Sequence, residues 1–216
     1  MTSAPDSPSP ASPSPSPASS GARPPLGVRD VLALSPAELR TIIDAAAPLD
    51  LDALADTRYT GIDLSLPGWA TALLWKTFRK TFRRDPATGV LRGWNVRVAQ
   101  TGWETPPEPL RDGRGRARTF GHYEVRSARG LPFPRGWEGA HYLDYRFAGN
   151  TFADWPARAG YCPLVAVNPG SMDLLLGWEV FRIAGTNVPI PDHWLLVREG
   201  PLGPDELEPR PDARDS

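Results

Sequence analysis

The sequence predicts a mainly β fold with two short helices: an antiparallel, barrel-like or strongly curved sheet of about seven strands. Three observations point there. After Gly89 the apolar period shifts from 3.6 to 2, with Trp94, Val96 and Val98 alternating with Asn95, Arg97 and Ala99. Segments rich in Pro, Gly and Arg, such as 105–118 and 128–136, punctuate the later runs. No helical pattern lies between those runs, so neighbouring strands have no crossover and must pair antiparallel.

The elements follow in order. Ser35-Pro36-Ala37-Glu38 forms a capping box with proline at the first helical position. Leu39, Ile42, Ile43 and Ala46 then recur at helical spacing until Pro48. Residues 50–56 add a further turn. Residues 59–66 alternate, with Ile62, Leu64 and Leu66 on one side, and read as the first strand. Pro67 opens a second helix over 67–84, with Leu74, Phe78 and Phe82 on one stripe and Lys76, Arg79, Lys80 and Arg83 opposite. Asp85-Pro86-Ala87-Thr88-Gly89 is a turn. After the 94–98 run, strands follow over 119–127, 141–147, 164–168 and 174–183, and near 193–198.

Composition sets the limits. The chain has 216 residues, a formal net charge of -1, 26 prolines, 20 glycines and one cysteine. Residues 1–25 hold eight prolines and eight serines with almost nothing apolar, so they read as a disordered, polyproline-like tether. Residues 26–200 form one globular domain, and residues 201–216, with a net charge of -3, read as a disordered acidic tail. The domain itself carries +2, too little to attract nucleic acid by its field. Leu66 to Trp75 is the longest uncharged run with apolar character; its ten residues fall short of the roughly 18 that a membrane-spanning helix needs. The first residues lack a basic and apolar leader pattern, and Cys162 has no partner cysteine, so the expected location is cytoplasmic. Arginine outnumbers lysine 22 to 2, which reads as genomic codon bias.

The runs Trp75-Lys76-Thr77-Phe78, Asp85 to Gly89, Arg92-Gly93-Trp94-Asn95-Val96-Arg97-Val98, Gly121-His122-Tyr123-Glu124-Val125, Leu143-Asp144-Tyr145 and Gly149-Asn150, with the stretch from Pro163 to Trp178, carry a resemblance. They are similar to a group of single-domain bacterial proteins of unassigned activity, loosely lipocalin-like in shape. The resemblance spans most of 59–198 and implies a barrel without implying a mechanism. Tyr59-Thr60-Gly61-Ile62 stands where lipocalins carry Gly-x-Trp on their first strand.

The chain's three histidines lie on or beside predicted strands: His122 two residues before Glu124, His141 near Asp144, and His193 after Asp192. A tri-histidine metal centre would require all three to converge, and alternation turns His122 outward, so no metal or other cofactor is expected. His141 shares a face with Leu143 and Tyr145 and is the candidate general base, although Asp144 points the other way. Gly170-Ser171-Met172-Asp173 lacks a nucleophile elbow, Cys162 lacks a helix N-terminus that would activate it, and Gly113-Arg114-Gly115 lacks the rest of a dinucleotide fingerprint.

Eight tryptophans are many for a chain of this length. Trp94, Tyr123, Tyr145 and Trp178 are the candidate ligand-binding residues, large rings lining a cavity. The favoured reading is therefore a non-enzymatic binding module for an apolar or amphipathic small molecule. The alternative is a small hydrolase or isomerase using His141 in the same cavity. A weaker one makes the 67–84 helix, with five basic residues, a peripheral anchor on an anionic lipid surface.

Overall fold

The computed structural model describes residues 24–65, 76–146 and 148–209. Three short helices come first: α1 (Val28–Leu32), α2 (Pro36–Ala45) and α3 (Leu51–Leu54). The capping box at Ser35 is formed, with the Glu38 carboxylate accepting from the Ser35 N–H at 2.8 Å, and Ala46 ends α2 in the left-handed conformation. Asp50 caps α3 by accepting from the N–H groups of Asp52 and Ala53.

Eight strands then close into one antiparallel barrel: β1 (Thr57–Asp63), β2 (Thr77–Arg84), β3 (Leu91–Val96), β4 (Thr119–Ser127), β5 (His141–Asp144), β6 (Tyr161–Ala166), β7 (Leu174–Ile183) and β8 (Thr186–Pro201). Each strand pairs with its sequence neighbour, and β8 returns to β1. Closure removes the open edges that would otherwise template pairing with other chains. The strand count is eight where the sequence suggests about seven.

Register decides which side chains face the lumen. The pairs Tyr59 to Lys80, Lys80 to Asn95, Phe82 to Gly93, Gly93 to Tyr123, Leu143 to Cys162 and Gly177 to Trp194 share one face. Their apolar members pack with Leu49 and Leu54 into a core that fills the barrel's lower end, beneath α3. Two glycines are required there by close approach. A Cβ on Gly93 would overlap the Tyr123 ring, and one on Gly177 the Trp194 ring. A second core lies outside the wall, where Val31, Leu39 and Ile43 of α1 and α2 cover Val165, Leu176, Trp178, Val180 and Leu195.

The predicted helix over 67–84 is corrected for its second half. Residues 77–84 are strand β2, and residues 67–75 lie outside the described residues. Phe78 and Phe82 are four apart, a spacing that a helical stripe and one face of a strand both satisfy. The polar Lys80 between them hides the alternation. With Phe78, Lys80 and Phe82 pointing inward and Arg79 buried on the outer side, residues 77–84 present no basic helical face to a lipid surface.

The segment after β8, assigned by sequence to an acidic tail, rests on the barrel as far as residue 209. The Leu202 N–H donates to the Asp56 carbonyl at 2.8 Å, Arg58 and Arg79 pair with Glu206, and Arg92 donates to the Glu208 carbonyl at 2.9 Å. Arg79 also pairs with the buried Glu199 at 2.9 Å. The Glu206 carboxylate thus meets guanidinium groups on the outer faces of β1 and β2, and the Glu208 backbone accepts from one on β3.

Candidate functional site at the barrel mouth

The upper end of the barrel is polar. β1 delivers Asp63, β2 Phe78 and Lys80, β3 Asn95, β7 Glu179, and β8 Asp192 and Trp194. With Phe120, Tyr145 and Ala157 they line a cavity of about 150 Å³. At roughly 30 Å³ per molecule of liquid water, that is room for about five waters.

Lys80 is the unusual group. Its side chain is only 1% exposed, and Nζ donates to Asn95 Oδ1 at 2.8 Å and to the Tyr145 hydroxyl at 2.7 Å. None of the ion pairs among the described residues involves it. Nζ lies 4.5 Å from the Tyr123 ring centre and 4.8 Å from that of Trp194, and ring faces favour a cation. Loss of hydration outweighs them, pulling the amine down from 10.5 to about 7.

The neighbouring acids are displaced the other way. Burial raises the Glu179 carboxyl, which accepts from the Trp194 indole N–H at 3.3 Å. Asp192 is pushed up to about 8 by burial and by the charges of Asp63 and Glu179, and its Oδ1 is buried without a hydrogen-bond partner among the described residues. Near neutrality the mouth therefore combines a partly deprotonated amine with an Asp192 carboxyl that holds its proton, beside Glu179, whose carboxyl is raised by burial. That is the environment in which side chains exchange protons with a bound molecule.

The sequence-predicted residues divide between the two sides of the wall. Tyr123 and Tyr145 face the lumen: Tyr123 is buried in the lower core, its hydroxyl donating to the Thr81 carbonyl, and Tyr145 borders the cavity. Trp94 and Trp178 lie outside, contrary to the expectation that they line it. Trp94 pairs with Thr81 in register and borders an outer groove of about 720 Å³ between the 109–119 segment and residues 203–209. Trp178 packs among the residues beneath α1 and α2, with the Arg40 guanidinium 4.1 Å over its ring. Both rings are buried because each wall they sit on has a second cover.

His141 stands at the start of β5, four residues from Tyr145 and roughly 13 Å away along an extended strand. It is not at the mouth. Asp144 turns outward to pair with Arg146 at 2.8 Å. His122 lies beside Trp94 on the outer side, and His193 lies beside Ser65, so the three imidazoles do not converge. Among the described residues no group of three or more His, Cys, Asp or Glu is placed to hold a metal ion. Burial pushes the Cys162 thiol well up, and it sits against Glu179 inside the barrel.

No protein-family model matches the chain, and neither a curated protein nor a solved structure proved similar to it. The site is therefore read from its own chemistry. Lys80, Asn95, Glu179 and Asp192 were not singled out by pattern. One compositional signal was available: in a chain with 22 arginines, one of the two lysines lies between two inward phenylalanines.

Proposed function

We propose that the barrel is a binding module for a small uncharged molecule held at its mouth. The body of the ligand lies against Phe78, Phe120 and Trp194, and its polar end meets Lys80, Asn95 and Tyr145. The observation that carries this reading is the cavity itself, a space opening at the barrel mouth where the rings of Phe78, Phe120 and Trp194 lie beside a buried amine. Placing that amine inside is costly, and a filled core of the same volume would be more stable. A ligand group able to accept from Lys80 offsets part of that cost.

The size of the cavity narrows the ligand. Fatty acids and sterols exceed about 150 Å³, whereas alcohols, aldehydes and ketones of four to six carbons are of the right order. Saturation-transfer NMR with butan-1-ol and with palmitate tests this. Binding of the alcohol that weakens in Asn95→Leu supports the reading. Preference for palmitate, or no binding by either, refutes it.

Acid–base catalysis is the second reading, and one observation favours it: Lys80 is pulled down while Glu179 and Asp192, lining the same cavity, are pushed up. This moves any proton transfer from His141 to the mouth. His141→Gln would then leave turnover of a small carbonyl substrate unchanged, and Glu179→Gln would lower it; the reverse result restores the histidine.

A further inference from the structure

Three features of Lys80 go beyond simple binding. Its nitrogen borders the cavity and, among the described residues, donates to two partners, Asn95 Oδ1 and the Tyr145 hydroxyl. No carboxylate among the described residues forms an ion pair with it, so no direct salt bridge locks it as an ammonium. The third feature is the choice of residue. The outer side of the same strand carries the buried Arg79, yet the inward position carries lysine. A guanidinium cannot lose its proton in a protein; an amine can.

We propose that Lys80 is a nucleophile that captures the carbonyl carbon of a small aldehyde or ketone entering the mouth and holds it as an imine. The proposal rests on the binding reading above and adds a covalent step to it. The Nζ lone pair forms the N–C bond as the carbonyl π bond opens onto oxygen; the oxygen takes one proton and the nitrogen gives one up, giving a neutral carbinolamine. The oxygen then takes a second proton, the C–O bond breaks and water leaves, and the nitrogen of the resulting iminium gives up its remaining proton. One carbonyl and one amine yield one imine and one water, with no oxidant or reductant consumed. Glu179 and Asp192 line the same cavity and carry the proton that the leaving oxygen needs, taking one back from nitrogen. The other titratable groups facing this amine are Asp63, Tyr123, Tyr145 and Cys162. Asn95 and Tyr145 orient the nitrogen, and the ring faces of Tyr123 and Trp194 receive the iminium form.

The test incubates the full-length protein with a small excess of butanal and sodium cyanoborohydride, which converts an imine to a stable secondary amine. Peptide mapping by mass spectrometry then locates it. The chain offers only three kinds of primary amine: Lys80, Lys76 and the N-terminus. The expected result at pH 7.5 is labelling of Lys80 roughly tenfold or more over Lys76. The rate at Lys80 should level off as pH passes about 7. Lys80→Arg, which keeps a cation but cannot form an imine, should remove this adduct while leaving that at Lys76. Labelling confined to Lys76 and the N-terminus overturns the proposal, and the wild-type map alone decides this even if the variant fails to fold. Saturation transfer from butan-1-ol, which cannot react, separates the two claims. Alcohol binding without a Lys80 adduct overturns the imine and leaves the binding reading standing; absence of both removes the two together.

Discussion

Replacing Lys80 by methionine should change the pH dependence of stability by a defined amount and sign. The amine moves from 10.5 in the unfolded chain to about 7 in the fold. Between those values the unfolded chain holds a proton that the folded chain lacks, so this group's contribution is full above 10.5 and lost as pH falls toward 7. At about 1.4 kcal/mol per pH unit, and allowing for partial titration at each end, the wild type loses roughly 3 kcal/mol through Lys80 between pH 9 and pH 6. Methionine keeps the length and fills the same space. It also leaves Asn95 Oδ1 without its donor, a cost of about 1–3 kcal/mol that does not depend on pH and cancels in the comparison. Urea denaturation of both proteins at pH 6 and pH 9 reads the difference. Lys80→Met should gain on the wild type by roughly 3 kcal/mol more at pH 6 than at pH 9. Equal gaps at the two pH values would refute the assignment of a deprotonated amine to the fold.

Asp192→Asn should tilt the other way. Its carboxyl rises from 3.8 to about 8, so its contribution is lost as pH climbs through that window, and the variant gains on the wild type at pH 9; denaturation at the same two pH values checks it. Gly177→Ala places a methyl group into the Trp194 ring and should destabilise by about 1–3 kcal/mol, with a matching drop in the urea midpoint. Glu199→Gln removes the nearest carboxylate of the 5%-exposed Arg79, which keeps Glu206, and should cost about 1–3 kcal/mol, whereas Glu104→Gln at an exposed pair with Arg29 should be close to neutral in the same assay. Burial and the charges of Arg40 and Arg135 hold His193 down at about 4, so stability is lost as pH falls from 6.5 toward 4. His193→Asn should flatten that acid limb in thermal melts from pH 7 to pH 4.

Much of the barrel is legible in the chain. The shift of period after Gly89 marks β3, the 119–127 run coincides with β4, and the 174–183 run with β7. The capping box at Ser35 places the start of α2 to the residue. What misleads is any feature that two structures satisfy equally. Phe78 and Phe82 fit a helix stripe and a strand face, so β2 reads as helix. Trp94 and Trp178 are apolar and alternate correctly, but β3 and β7 are covered on both sides, and apolar patterning then reports burial without saying which wall is inner. Tyr123 faces inward on β4 opposite Gly93, and Tyr145, just past the end of β5, lies beside Lys80; only the three-dimensional pairing reveals either. Glu179 and Asp192 are ordinary charges in the sequence. They become a site because β7 and β8 pair antiparallel and bring both carboxyls to the end of the barrel where Lys80 is buried.

The chain contains two lysines, so a protein labelled with ¹³C at lysine Cε gives two side-chain signals, and Lys80→Arg identifies which is which. Following the Lys80 signal from pH 5 to pH 11 measures the protonation of its nitrogen directly. A midpoint near 7 is the predicted outcome. A midpoint near 10.5 would mean that the amine at the barrel mouth stays charged through neutrality, contradicting both its solvent exclusion and its proposed reactivity.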